Sequence, residues 1–345
     1  MNKSGWRAAG QGFCLSKEVA MIDFGLPEEV KTDVLYDVII LGAGSAGLTA
    51  AIYASRSLLK TLVIDPAPAG GLALTTELIE NYPGFPDGIL GPQLMAAFRR
   101  QAEKFKAEII EITPVNAVRL SGQEKEVVTD RGTFRSKAII IATGRRYKEI
   151  GIKGENEYKG KGVSYCATCD APLFRGKDVA VVASGSSGIQ EGLRLLKFVN
   201  SVILIGFPPQ QAAEPYLLEK IKDQKNITLL LHHRLLEIYG ERSVKGVKIE
   251  DLETGEVRDI RVDGVFIFAS LTPNSELFDG IEKDRHGFIL AEERTLKTNL
   301  PGVYVAGDVR SKNLRQIATA VGDGALAAHG VKLYLHQLER EKHRQ

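Results

Sequence analysis

The chain has 345 residues, 44% of them apolar and 26% charged, with a net charge of +2. That length favours two domains over one, and so small a net charge gives no global electrostatic case for nucleic acid. No apolar run approaches the ~20 residues of a membrane helix, Met1–Ala20 lacks a signal-peptide core, and three cysteines are too few for a disulfide framework or a four-thiolate iron–sulfur cluster.

Residues 1–32 read as an N-terminal extension; within them Met21-Ile22-Asp23-Phe24 resembles a natural start, so 1–20 read as an extension or a misplaced start. Cys14 has no preceding apolar segment of the kind that marks a lipid anchor. Tyr36–Leu41 is then a short β-branched run, followed at once by Gly42-Ala43-Gly44-Ser45-Ala46-Gly47 and a segment of helical spacing; Thr61–Asp65 is a second apolar strand. Strand, glycine turn, helix and strand within about thirty residues is the pattern of a βαβ dinucleotide unit. In that pattern Gly42 permits the tight turn, Gly44 lets backbone approach a pyrophosphate, and Gly47 lets helix and strand pack closely. The helix N-terminus then faces phosphates, and Asp65 accepts from ribose hydroxyls.

Two of the three cysteines lie in Cys166-Ala167-Thr168-Cys169, which Asp170 follows. A Cys-x-x-Cys pair can close a disulfide and exchange electrons with a partner thiol or a nearby flavin, and a neighbouring carboxyl can move the protons that cycle with it. A turn-capping role for Asp170 before Pro172 is the plainer alternative. Cys14 and the scattered histidines show no spacing that completes a zinc site. The cysteine usage fits a reducing cytoplasm.

A second strand–turn–helix begins at Asp178, with Ala183-Ser184-Gly185-Ser186-Ser187-Gly188 as its turn and Ser201–Ile205 as its next strand. Alanine replaces the first glycine. The following strand ends in Gly206-Phe207-Pro208-Pro209, with neither an acid for a ribose nor an arginine for a 2′-phosphate. Strand-like Val262–Ala269, then Gly302–Asp308, and a helical pattern over 315–335 complete the chain. We expect an α/β fold of two nucleotide-binding, Rossmann-like three-layer domains, the first discontinuous: 33–148 and 274–345 form one, and 149–273 is inserted. Ala142-Thr143-Gly144 and Leu271–Asn274 mark the crossings.

These motifs in this order resemble the low-molecular-weight thioredoxin reductases over roughly residues 34–340: the glycine turn, Gly70-Gly71, Glu80-Asn81-Tyr82-Pro83-Gly84, Ala142-Thr143-Gly144, Cys166–Asp170, Gly307-Asp308-Val309 and Arg315-Gln316. The resemblance implies a cytoplasmic, homodimeric, FAD-dependent thioredoxin-disulfide reductase. Gly42, Gly44, Ser45, Ala46 and Gly47 would cradle the FAD pyrophosphate and Asp65 the adenosine ribose. Gly71 and Asn81 would approach the flavin side, with Thr143 and Gly144 near the dinucleotide. Gly307 precedes Asp308, which would hold the ribityl–phosphate part, while Arg315, Gln316 and Ile317 face the ring. Cys169 would be the flavin-facing sulfur, Cys166 the attacker of the partner disulfide, and Asp170 the proton carrier. No metal, nucleic acid or membrane is implied.

The chain departs from that family where members grip NADPH through an arginine-bearing stretch. Here Gly206–Ala212 carries no cation and two prolines, and each lost charge-assisted hydrogen bond is worth roughly 1.5–3 kcal/mol. The departure resembles the branch of the family fed by ferredoxin or by a reduced deazaflavin, and ferredoxin is the expected donor. Eight Lys/Arg against five Asp/Glu in 145–178 offer a basic rim for an acidic partner; a solvated surface of mixed charge is the alternative. The competing readings are an NAD(P)H-dependent reductase with a degenerate site, a flavin-dependent dithiol oxidase, and a flavin-bearing redox sensor. Since one sulfur must meet the flavin and the other a protein, rotation of the inserted domain is expected, with hinges near 145–150 and 270–276.

Overall fold

The computed structural model describes residues 32–76, 78–147, 149–183, 185–206, 214–222, 224–268 and 271–342, without the side chains of Thr168, Cys169, Gly185 and Ser187. The extension expected over 1–32 lies outside the described residues except for Thr32, and so does the prolyl loop at 207–213.

The first sheet is built around β1 (Leu35–Leu41) and β2 (Thr61–Ile64), joined by helix α1 (Ser45–Arg56). A hairpin of β3 (Leu78–Ile79) and β4 (Ile89–Leu90) leads into helix α2 (Gly91–Lys104). Then come β5 (Glu108–Ile110), β6 (Val115–Arg119), β7 (Lys125–Thr129) and the long β8 (Gly132–Ile141). Parallel pairing sets Val38 against both Thr61 and Ala138. β1 and β2 are therefore buried on both faces, which accounts for their unbroken apolar runs.

The chain leaves this sheet through β9 (Arg145–Tyr147) and enters a second one. There β10 (Val163–Ser164), the single-turn helix α3 (Ala167–Asp170), β11 (Asp178–Ala183), α4 (Gly185–Leu195), β12 (Ser201–Gly206), α5 (Pro215–Lys222) and β13 (Ile227–Leu231) come in order. β14 (His233–Gly240), β15 (Val244–Asp251) and β16 (Val257–Arg261) form an antiparallel sheet of their own, before β17 (Gly264–Phe268) returns to the parallel one. The chain goes back through β18 (Leu271–Pro273), which pairs antiparallel with β9, to β19 (Val303–Val305) and α6 (Ile317–Lys342).

Among the described residues the strand order is β5–β2–β1–β8–β7–β6, with β19 also on β8, and β10–β17–β11–β12–β13 in the second sheet. Helices cover one face of each sheet. On the first, α1 and α6 pack together over Ile40, Val63 and Ile140. On the second, α4 and α5 cover Val181, Leu204 and Phe266, while the opposite face buries Ala180 and Ile267 against Leu235, Val247 and Ile249. This is the expected mixed α/β class of two Rossmann-type units. The last helix starts at Ile317, two residues later than the pattern over 315–335 gave, and runs on to Lys342. No helix among the described residues is long and apolar enough to cross a membrane.

Candidate functional site

A cleft of about 1560 Å³ runs from the first glycine turn to the start of α5. Gly42, Gly44, Ser45, Ala46, Asp65, Gly71, Asn81, Thr143, Gly144, Gly307, Asp308, Arg315, Gln316 and Ile317 all line it. Gly47 does not, because its work is behind the cleft: a Cβ there would lie 1.8 Å from the Gly42 carbonyl oxygen, so only glycine lets α1 sit this close to β1. Gly42 has φ +104° and faces the Ala142 carbonyl at 2.3 Å from a Cβ position, which makes it the tight turn. Beside them Gly44 looks into open space.

Asp65 sits just past β2. Its Oδ2 accepts from the Ala43 N–H at 2.6 Å and its Oδ1 from the Ala67 N–H at 2.8 Å. The carboxylate thus fixes the glycine turn as well as facing the cleft. Burial raises its pKa, and the two backbone donors partly offset that.

At the other end, the Asp308 Oδ2 accepts from Arg145 Nε at 3.0 Å. The Asp308 Oδ1 is buried with no hydrogen-bond partner, the Lys312 ammonium being 3.5 Å away. Beneath it the buried Asp323 of α6 gathers the Gly307 N–H at 3.1 Å, Arg310 Nε at 3.0 Å and Lys312 Nζ at 2.9 Å on one oxygen. The Arg315 guanidinium lies 4.0 Å over the Phe288 ring, with its buried Nε unpartnered. Burial, and then Arg145, lower its pKa. Asn81 donates to Gln316 at 3.3 Å.

Where the chain crosses between sheets, Thr143 Oγ1 donates to the Asn274 carbonyl at 2.6 Å and Asn274 Nδ2 returns a bond to the Thr143 carbonyl at 2.8 Å. The two crossings are therefore clasped at their base.

Cys166 is half-buried and disulfide-bonded. The Cys169 side chain, and with it the expected pairing, lies outside the described residues. The helix α3 that carries the motif packs against the 3₁₀ turn Gly71–Thr75, whose residues line the cleft. Asp170 sits at the N-cap of the next 3₁₀ turn, Ala171–Phe174, but makes no side-chain capping bond. Its Oδ2 instead accepts from Ser164 Oγ at 2.7 Å, and the same Oγ accepts the Cys166 N–H at 3.1 Å. The capping alternative is thereby replaced by a tie to the cysteine turn.

A second tie has no sequence signature. Glu155, 1% exposed, accepts N–H bonds from Ile150, Gly151 and Ile152 at 3.0, 2.7 and 3.1 Å, and the Tyr165 O–H at 2.7 Å. It joins the segment after β9 to the residue before Cys166. Burial, reinforced by Glu155, raises the Tyr165 pKa. Ser164, Glu155 and Asp323 carry no motif that singles them out; a serine two residues before Cys166 and an acid inside an alanine-rich helix are the only signals.

The basic rim needs correction. Arg145 pairs with Asp308, Arg146 with Glu276, Lys153 with Glu237 and Lys159 with Glu149. Half of the eight cations are thus neutralised by the chain itself, and Lys148 lies outside the described residues. On the α4–α5 side the cleft is lined by Ser186, Gln190, Glu191, Glu214, Tyr216 and Leu217, with no cation among the described residues. The Glu214 N–H donates to Ser186 Oγ at 2.8 Å. No cluster of three or more His, Cys, Asp or Glu among the described residues can hold a metal.

Residues 36–324 match the family model described as pyridine nucleotide-disulphide oxidoreductase. The chain is 40% identical over 305 residues to the thioredoxin reductase of Mycolicibacterium smegmatis, covering 88% of this chain and 98% of that protein. Among solved structures, the T. acidophilum thioredoxin reductase matches with a TM-score of 0.82 at 40% identity, covering 88% of this chain and 99% of that one. The Streptococcus pyogenes enzyme, at 38% identity and the same coverage, superposes with only 0.57. The chain belongs to the pyridine nucleotide-disulphide oxidoreductase family and, within it, to the low-molecular-weight thioredoxin reductases, which makes it a flavoprotein oxidoreductase of the thioredoxin-disulfide reductase type.

Proposed function

We propose that this enzyme binds FAD in the long cleft and reduces thioredoxin through the Cys166–Cys169 disulfide, taking its electrons from a donor other than NADPH, with ferredoxin the first choice. The residues present fit FAD. The α1 N-terminus makes no side-chain cap bond and has no acid in its first turn, leaving N–H groups for a pyrophosphate at the open space beside Gly44. Asp65 and the unpartnered Asp308 Oδ1 are acceptors for ribose and ribityl hydroxyls, and Arg315, Gln316 and Ile317 face the same cleft. When bound, FAD supplies a carrier that can pass two electrons to a disulfide.

The single observation that carries the donor reading is the α4–α5 side of the cleft. Its charged lining groups among the described residues are acids, Glu214 and Glu191, the latter paired with Arg194 at 3.6 Å, and the α4 first turn is bonded through Ser186 to the chain's own Glu214 backbone. A nucleotide phosphate there meets no fork of arginines among the described lining residues, and has Glu214 beside it. The family description favours a second reading, in which a pyridine nucleotide is still the donor.

Cys166 is held for attack on a partner disulfide, with Asp170 fixed beside it to carry the proton. Leu173, 71% exposed three residues after Asp170, offers an apolar contact for a protein partner. The flavin side of the cleft and a protein partner make competing demands on one short helix, so we also propose rotation of the unit 149–273 about 145–150 and 270–276. Two relatives of nearly equal identity that superpose so differently on this chain support it.

Anaerobic mixing with reduced ferredoxin, NADPH and NADH in turn tests the donor. Bleaching of the yellow flavin and release of two thiols by ferredoxin alone is the expected result. Rapid bleaching by micromolar NADPH would overturn the donor reading in favour of the second one.

A further inference from the structure

Ser164 ends β10, where its Cα is registered against Phe266 of β17, and the residue is 4% exposed. Its hydroxyl has one proton to give. Asp170 Oδ2 at 2.7 Å is the nearer acceptor; the Cys166 carbonyl at 3.3 Å is farther. The proton therefore goes to Asp170, and the oxygen's lone pair takes the Cys166 N–H at 3.1 Å. The Asp170 N–H closes the turn onto the Cys166 carbonyl at 3.1 Å. A buried hydroxyl anchored on the sheet thus locks a carboxylate to the main chain of the reacting cysteine.

We propose that Ser164 is a positioning residue for disulfide opening, and this rests on the reading of Cys166, Cys169 and Asp170 given above. When the disulfide accepts two electrons its S–S bond breaks, one sulfur is left as thiolate and the other takes one proton. Asp170 takes that proton from solvent and hands it to the sulfur, returning to the carboxylate that Ser164 holds. When a dithiol opens the bond instead, its thiolate displaces one sulfur, and the same carboxyl protonates the sulfur that leaves. Either step requires Asp170 to stand at a fixed place relative to Cys166. Without Ser164 the carboxyl on its short helix is free to turn to water, and a displaced general acid loses about tenfold or more in rate.

Quenched-flow alkylation of the holoenzyme with dithiothreitol as the reductant tracks disulfide opening without ferredoxin, pyridine nucleotide or thioredoxin, so it decides the role of Ser164 even if the donor or thioredoxin reading fails. Ser164→Ala is expected to slow opening about tenfold and to raise its solvent deuterium isotope effect. The thermal midpoint and flavin spectrum stay those of the parent. Ser164→Thr, which keeps the hydroxyl, returns most of the rate, and Ser164→Ala adds little in an Asp170→Asn background. A Ser164→Ala rate equal to the parent's, full additivity with Asp170→Asn, or a rate loss that tracks a lowered midpoint with no isotope change would each overturn the proposal.

Discussion

Lys220 of α5 and Glu80 of the loop after β3 meet at 3.0 Å, and Tyr216, one turn earlier on the same helix, adds its hydroxyl to Glu80 at 3.2 Å. These are contacts between the two sheet layers that do not pass through the clasp of Thr143 and Asn274. Both ion-pair partners are well exposed, so the bond is worth only some tenths of a kcal/mol. That is enough to bias two arrangements whose energies differ little.

Charge reversal tests this contact. Glu80→Lys and Lys220→Glu are each expected to shift the distribution of distances between spin labels on the two sheets toward a more open arrangement, by roughly twofold or more in population. The double reversal restores the parent distribution. Unchanged distances in both single variants would show that the pair does not hold the sheets together.

Asp323 is the keystone under Asp308. Its replacement by alanine leaves the half-buried Arg310 and the Lys312 ammonium without the carboxylate they share, Lys312 keeping Asp308 at 3.5 Å, and the Gly307 N–H without an acceptor. A loss of about 1.5–3 kcal/mol is expected in urea unfolding, because charge-assisted hydrogen bonds to one carboxylate are lost together. A loss below about 1 kcal/mol would mean that water or movement satisfies the cations.

Glu155→Ala removes the acceptor of three backbone N–H groups and of the Tyr165 hydroxyl at once. At roughly 1 kcal/mol or more for each of the four stranded donors, about 4 kcal/mol is expected. Hydrogen exchange at Gly151 and Ile152 quickens with it. Protection at those two amides that survives the substitution would sink the account.

Lys125 is 1% exposed, and its ammonium donates to the Gly122 carbonyl. Burial lowers its pKa from the ordinary 10.5. A group whose folded pKa is depressed contributes stability that is present above the unfolded value and lost as the pH falls through the folded one. Lys125→Met is therefore expected to be the more stable protein at pH 7, by on the order of 1 kcal/mol. The advantage shrinks as the pH rises from the depressed folded value toward 10.5, the unfolded lysine's value, and is gone above it. Denaturant midpoints of both proteins across that range check it; a gap that does not change with pH would exclude the titration.

Local patterns carried much of the fold. Gly47 was legible because the Gly42 carbonyl five residues earlier requires it, and Gly42 because its positive φ belongs to the turn itself, although the Ala142 carbonyl that also excludes a side chain there lies a hundred residues on. Asp65 was legible as the residue closing β2, but its two bonds to Ala43 and Ala67 were not, since they depend on how β2 lies beside β1. The basic stretch over 145–178 misled for the converse reason. Composition counts charges along the chain, while Asp308, Glu276 and Glu237, which neutralise three of them, come from sites more than eighty residues away.

By itself the sequence determined the features that short spacing dictates: the two parallel nucleotide-type units, the cysteine pair between them, and the lack of cations over Gly206–Ala212. These are properties of periods of two and 3.6 residues and of residue identity, and they survive without knowledge of the neighbours. Only the tertiary structure decided that Asp170 answers to Ser164, that Glu155 binds the crossing to Tyr165, and that Asp323 supports Asp308. Each is a buried polar bond made at a distance fixed by packing, and a buried polar group must find its partner wherever the fold brings one.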